Sequence, residues 1–149
     1  MYHHMKVILD TNVVLSAAFS QRGASSKLLD MLADGEYEIA LTLPLFLEYR
    51  DVLLRDSTLA RGVDRTAVIE LCEDLAAIAH GQIVYFLWRP WLRDPNDDLL
   101  LEAAVASGAE HIVTHNVRDF INQDVEEVFG ISVLRPQEML AILEKGKSQ

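Results

Sequence analysis

Short apolar runs alternate with helix-patterned stretches along the whole chain, and that alternation leaves few folds open. The sequence predicts strands over 6–10, 37–42, 82–87, 111–114 and 131–134. Helical patterning falls between them, over about 12–19, 25–34, 44–55, 64–80, 96–107, 116–122 and 136–144. Strands separated by helices pair in parallel, because a parallel neighbour requires a long crossover. The expected class is therefore α/β with a central, mostly parallel sheet. Punctuation agrees: Gly35, Gly81 and Gly108 stand at expected helix ends, and Pro44 suits a first turn. Trp88-Arg89-Pro90-Trp91 reads as a non-periodic loop, and residues 145–149 as a polar, frayed tail.

At 149 residues the chain fits one domain, with a core over about 6–144 and no linker or repeat. Half of the residues are hydrophobic, enough for a substantial core. A single cysteine, Cys72, makes a disulfide within one chain impossible; its helical setting predicts a packed core residue. No apolar stretch approaches the ~20 residues that span a bilayer. Met1–Met5 runs straight into a strand with no leader pattern, so a cytoplasmic location is expected. The net charge of −10 argues against a broad basic nucleic-acid surface. It leaves room for an enzyme whose clustered carboxylates bind cations.

Carboxylates recur where such a sheet would present its ligand-binding edge. Asp10 ends the first strand, Glu48 follows Leu41-Thr42, Asp94–Asp98 opens a helix, and Asp119 follows Ile112-Val113-Thr114. Ligands of open α/β sheets bind outside the carboxyl ends of the strands. Each acid also has an ordinary explanation. Asp10-Thr11-Asn12 suits a helix N-cap, and Asp94, Asp97 and Asp98 suit a first helical turn. Glu48 shares a helical stripe with Asp51 and Arg55, and Asp119 would cap a short helix. Caps do not account for acids at the same end of successive strands. Converging carboxylates repel one another unless a cation lies between them, and an all-oxygen set selects Mg²⁺ or Mn²⁺.

Four motifs in order, Asp10-Thr11-Asn12, Glu48, Arg93-Asp94-Pro95-Asn96-Asp97-Asp98 and Thr114-His115-Asn116-Val117-Arg118-Asp119-Phe120, make the chain resemble a PIN domain. The nearest flavour is the VapC-like toxin ribonucleases of prokaryotic toxin–antitoxin systems. The resemblance spans Lys6 to about Ile142 and implies a three-layer α/β/α domain. It implies a metal-binding, catalytic quartet of Asp10, Glu48, Asp97 and Asp119, with Asp98 as rival to Asp97. Thr11, Asn12, Asp94, Thr114 and Asn116 would support the ligands or replace one. Arg93 and Arg118 are candidates for phosphate binding. The implied activity is Mg²⁺- or Mn²⁺-dependent hydrolysis of RNA phosphodiesters, with a cognate antitoxin and a homodimer as expected partners and no membrane association.

Other chemistries fit less well. His3, His4, His80, His111 and His115 form no ligand pattern, with His115 read as an exposed loop residue. Ser16 lacks a glycine-flanked elbow, and no Walker or dinucleotide fingerprint is present. A receiver domain would carry an acidic pair at the first joint and a lysine at a late strand end. This chain has Asp10 alone and Leu134-Arg135-Pro136. The remaining rival is a PIN fold kept only for binding or as a scaffold.

Overall fold

Val7, Ile8 and Leu9 are all fully buried, although successive strand residues point to opposite faces of a sheet. Both faces of this strand must therefore be covered, as in a parallel sheet between two helical layers. The computed structural model, which describes residues 5–82, 92, 94–121 and 124–147, has that architecture. Its elements run β1 (Lys6–Leu9), α1 (Thr11–Phe19), α2 (Ala24–Ala33), β2 (Glu38–Thr42), α3 (Leu43–Leu53), α4 (Asp56–Leu59), α5 (Arg65–Ile78) and β3 (His80–Gln82). They continue with α6 (Pro95–Ser107), β4 (His111–Val113), α7 (Arg118–Ile121), α8 (Val125–Phe129), β5 (Ser132–Leu134) and α9 (Pro136–Lys147).

The five strands are parallel and ordered β3-β2-β1-β4-β5. From β1 the chain builds outward through β2 to β3, then returns across the sheet to lay β4 on the other side of β1. With right-handed crossovers, this reversal moves the later connecting helices to the opposite face. Helix α6 packs over β1, β2 and β4, while α2 packs against α1 and α9. The result is a three-layer α/β/α domain. The strand order reverses between β1 and β4, and a crevice opens at their carboxyl ends.

Local chemistry sets the element ends. Thr42 caps α3, its hydroxyl accepting the Leu45 N–H at 3.2 Å, and Asp64 caps α5 through Ala67 at 3.2 Å. Gly35 lies just beyond α2 at φ +77°, where its N–H closes onto Leu32 and the next one, of Glu36, onto Met31. Cys72 is buried as expected.

Several expected boundaries differ. The helix expected over 44–55 ends at Leu53, and Arg55 is instead the N-cap of the separate short helix α4. Gly81 is not a helix cap: α5 stops at Ile78, and Gly81 pairs with Leu41 as the middle residue of β3. Pairing along β2 wins over helix extension there. The tail is more ordered than expected, since α9 runs on to Lys147. The expected strand residues 83–87, the Trp88–Trp91 segment and Arg93 lie outside the described residues.

Candidate acidic site at the sheet crevice

Asp10 sits at the first residue beyond β1, and its backbone N–H continues the ladder by donating to the Val113 carbonyl at 2.8 Å. It occupies the N-cap position of α1, yet its side chain makes no capping hydrogen bond. Its Oδ2 instead accepts from the Thr114 hydroxyl at 2.7 Å, across the junction of β1 and β4. Thr114 is fully buried, and its Oγ1 also accepts the Asn116 N–H at 3.0 Å. Burial raises the pKa of Asp10; the Thr114 bond and the N–H groups of Thr11 and Asn12 oppose that rise.

Glu48 reaches the same junction from α3. The buried Thr11 hydroxyl donates to Glu48 Oε2 at 3.0 Å, so the acid is turned inward. Asp51 and Arg55 instead pair with each other on the exposed face, 3.0 Å apart. The stripe expected from helical spacing is thus split between two faces. Partial burial raises Glu48, and the neighbouring charges of Asp10 and Asp94 add to the rise.

The run that opens α6 separates its acids by role. The Asp94 carbonyl accepts the N–H groups of Asp97 at 3.0 Å and Asp98 at 3.1 Å, closing the first turn. The Asp98 Oδ1 accepts the Leu92 N–H at 2.7 Å and so braces the segment entering the helix. Asp97 faces the other acids. Its carboxyl is pushed up to about 7, first by desolvation, then by the charges of Asp94, Asp119, Asp10 and Asp98. Asp119 lies exposed in the first turn of α7, and its N–H is held by the Asn116 carbonyl at 3.1 Å.

The structure thus brings Asp10, Glu48, Asp94, Asp97 and Asp119 into one electrostatic neighbourhood. Thr11 and Thr114 hold two of these carboxylates directly. Asn12 Oδ1 accepts the His115 N–H at 3.3 Å, tying α1 to the loop after β4. Asn116 and Arg118 are exposed on that side of the molecule. Among the described residues, no three His, Cys, Asp or Glu side chains already close into a metal cage. The chemistry of the set still suits Mg²⁺ or Mn²⁺, since a hard ion of this size is commonly held by one or two carboxylates with water completing its shell.

Two residues of this neighbourhood, Tyr49 and Ser25, lie outside the four motifs, and His115 lies within one without an assigned role. Tyr49 is buried beside Glu48, and its hydroxyl donates to the Leu9 carbonyl. His115, exposed as expected, also approaches the buried Ser25 hydroxyl, with 3.4 Å between Nε2 and Oγ. A buried tyrosine next to a candidate acid was the one available signal, because a phenol in a core needs a partner.

A parallel α/β domain with acids gathered at its switch-point crevice defines the class of this protein. A family model described as PIN domain matches residues 6–118, and the chain belongs to that family. Among solved structures, a chain of VapBC2 from Rickettsia felis, bound to a DNA fragment from their promoter, shares the fold with a TM-score of 0.55. It is 16% identical, and the match covers 88% of this chain and 98% of that one. No curated protein matches this chain.

Proposed function

We propose that this PIN domain is a divalent-metal-dependent endoribonuclease, the VapC-like toxin of a toxin–antitoxin pair. The observation that carries the reading is Asp97, a little-exposed carboxyl raised by burial and by four neighbouring acids. Such a cluster disfavours its own full ionisation and is poised to accept a cation.

Asp10 and Asp97 would hold the ion, with Glu48 and Asp119 binding it directly or through water. When bound, Mg²⁺ or Mn²⁺ supplies charge neutralisation at the phosphate and a lowered pKa for an attacking water. The chain's own residues set the geometry. Thr114 fixes the Asp10 rotamer, and Thr11 fixes the Glu48 carboxylate. Glu48, whose pKa burial raises, would accept a proton from the attacking water where it does not bind the ion directly. Arg118 and Arg93 are the cations nearest in sequence to the acids and are assigned to substrate phosphate.

Partner binding belongs to the same proposal. Leu43 and Leu47 of α3 and Ile69 and Ile78 of α5 are exposed apolar residues. Between these helices lies a groove of about 230 Å³ lined by Phe46, Arg50, Leu54, Ile69, Cys72 and Glu73. Apolar surface of this kind suits a second copy or an antitoxin segment. No helix among the described residues is long and apolar enough to cross a membrane, and we assign the protein to the cytoplasm.

The test is cleavage of a panel of labelled RNAs and DNAs with Mg²⁺ or Mn²⁺, beside EDTA and Asp10→Asn controls. Cleavage that requires both the cation and Asp10 supports the proposal and reveals the preferred nucleic acid. A folded protein that binds Mn²⁺ and RNA but cuts nothing favours the alternative, a PIN fold retained for binding or scaffolding.

A further inference from the structure

Two consecutive residues of α3 grip the two residues that flank Asp10. Glu48 accepts from the Thr11 hydroxyl at 3.0 Å, and Tyr49 donates to the carbonyl of Leu9. The second bond lies where the sheet opens. Paired residues of β1 and β2 are Lys6–Glu38 and Val7–Ile39, whereas the rest of β2, Ala40–Thr42, pairs with β3. The Asp10 N–H turns to β4, so by strand alternation the Leu9 carbonyl turns toward β2. Tyr49 takes that acceptor beyond the paired part of the β1–β2 ladder. The phenol is buried, so the Leu9 carbonyl is the partner that its O–H requires there.

We propose that Tyr49 is a positioning residue: its hydroxyl, with the Thr11–Glu48 bond, clamps α3 to the end of β1 and fixes Glu48 relative to Asp10. The inference rests on the nuclease reading above. It gives the hydroxyl a role distinct from core filling, which the ring alone would satisfy. A shift of the order of an ångström between reacting groups costs up to about 10²-fold in rate, so a clamp of this kind has kinetic consequences.

Tyr49→Phe keeps the ring and removes the hydroxyl. Leu53→Val, in the same buried stripe one turn further along α3, is the packing control. In Tyr49→Phe, kcat on a cleaved RNA is expected to fall about tenfold with KM nearly unchanged, and Mn²⁺ affinity measured without RNA to weaken. Leu53→Val is expected to lower Tm by a few degrees and leave both unchanged. A Tyr49→Phe protein that loses only Tm overturns the proposal. Amide hydrogen exchange at Asp10–Asn12 reads the clamp with neither metal nor RNA. Faster exchange there with β4 unchanged upholds it even if the wild-type protein proves inactive, a result that would count against the nuclease reading alone. Unchanged exchange overturns it. Thr11→Val, which removes the other arm, repeats the exchange test if Tyr49→Phe does not fold.

Discussion

Thr114 Oγ1 lies 2.7 Å from Asp10 Oδ2 and donates to it, joining residues 104 positions apart in sequence. The same oxygen accepts the Asn116 N–H, so one buried hydroxyl orders both a candidate metal ligand and the loop that carries Asp119. Valine has nearly the same shape but can do neither. Thr114→Val is expected to fold and to lose about 10–100-fold in Mn²⁺ affinity, the range found for partners that orient metal ligands. Calorimetric titration with Mn²⁺ measures it, and unchanged affinity would remove Thr114 from the site.

Asp97 and Asp98 are neighbours with opposite expected phenotypes. Asp97→Asn relieves repulsion among the acids, so the variant is expected to melt no lower than wild type at pH 8 while losing cleavage. Asp98→Ala strips the Leu92 N–H of its acceptor, and a buried donor left unpaired costs about 1–3 kcal/mol. Thermal melts of the two variants beside an RNA cleavage assay separate the roles. The assignment fails if Asp98→Ala is the stable, inactive one.

Acidity links the site to stability. Asp97 titrates at about 7 in the folded chain against an ordinary value of 3.8, and Asp10 and Glu48 are raised as well. The folded state therefore binds more protons than the unfolded state between these values, and stability falls as pH rises through that window. Metal-free protein is expected to be more stable, with respect to these groups, near pH 5 than near pH 8. Saturating Mn²⁺ should restore stability at pH 8 and release protons on binding. Urea melts at the two pH values, with Mn²⁺ or with EDTA, give the answer. A metal-free protein that gains stability across this interval, with no such gain in Asp97→Asn, would contradict the raised carboxyl.

Tyr37 offers a contrast to Tyr49. Its buried hydroxyl donates to the Leu28 carbonyl at 2.6 Å and secures the packing of α2 rather than the crevice. Tyr37→Phe is expected to cost about 0.5–1.5 kcal/mol of stability, with kcat unchanged. Urea unfolding and initial cleavage rates measured on one preparation test both halves of that statement.

The strands and longer helices were legible because burial imposes a period on sequence, and the run Val7-Ile8-Leu9 announced a strand covered on both faces. Helices α4 and α8, of four and five residues, are too short to show a period. Gly81 misled because glycine after a helical pattern reads as a cap, while its strand pairing with Leu41 is a tertiary fact. The acids could be named individually, since each follows a strand or opens a helix. Their partners could not: the Thr11–Glu48 and Tyr49–Leu9 bonds depend on how α3 lies across the end of β1. Adjacent helical residues point about 100° apart, which is why Asp97 joins the acids while Asp98 braces the chain before α6.

The strand order also sets a time at which the site can exist. Asp10, Glu48 and Asp97 all precede β4, but Asp10 receives its orienting hydroxyl from Thr114, and β4 must dock beside β1 to deliver it. A nascent chain that has emerged only as far as α6 holds three of the four proposed ligands but not the hydroxyl that orients the first. During synthesis Asp10 lacks the Thr114 hydroxyl until β4 docks beside β1, so the chemistry we propose would wait, by topology, until most of the polypeptide has been made.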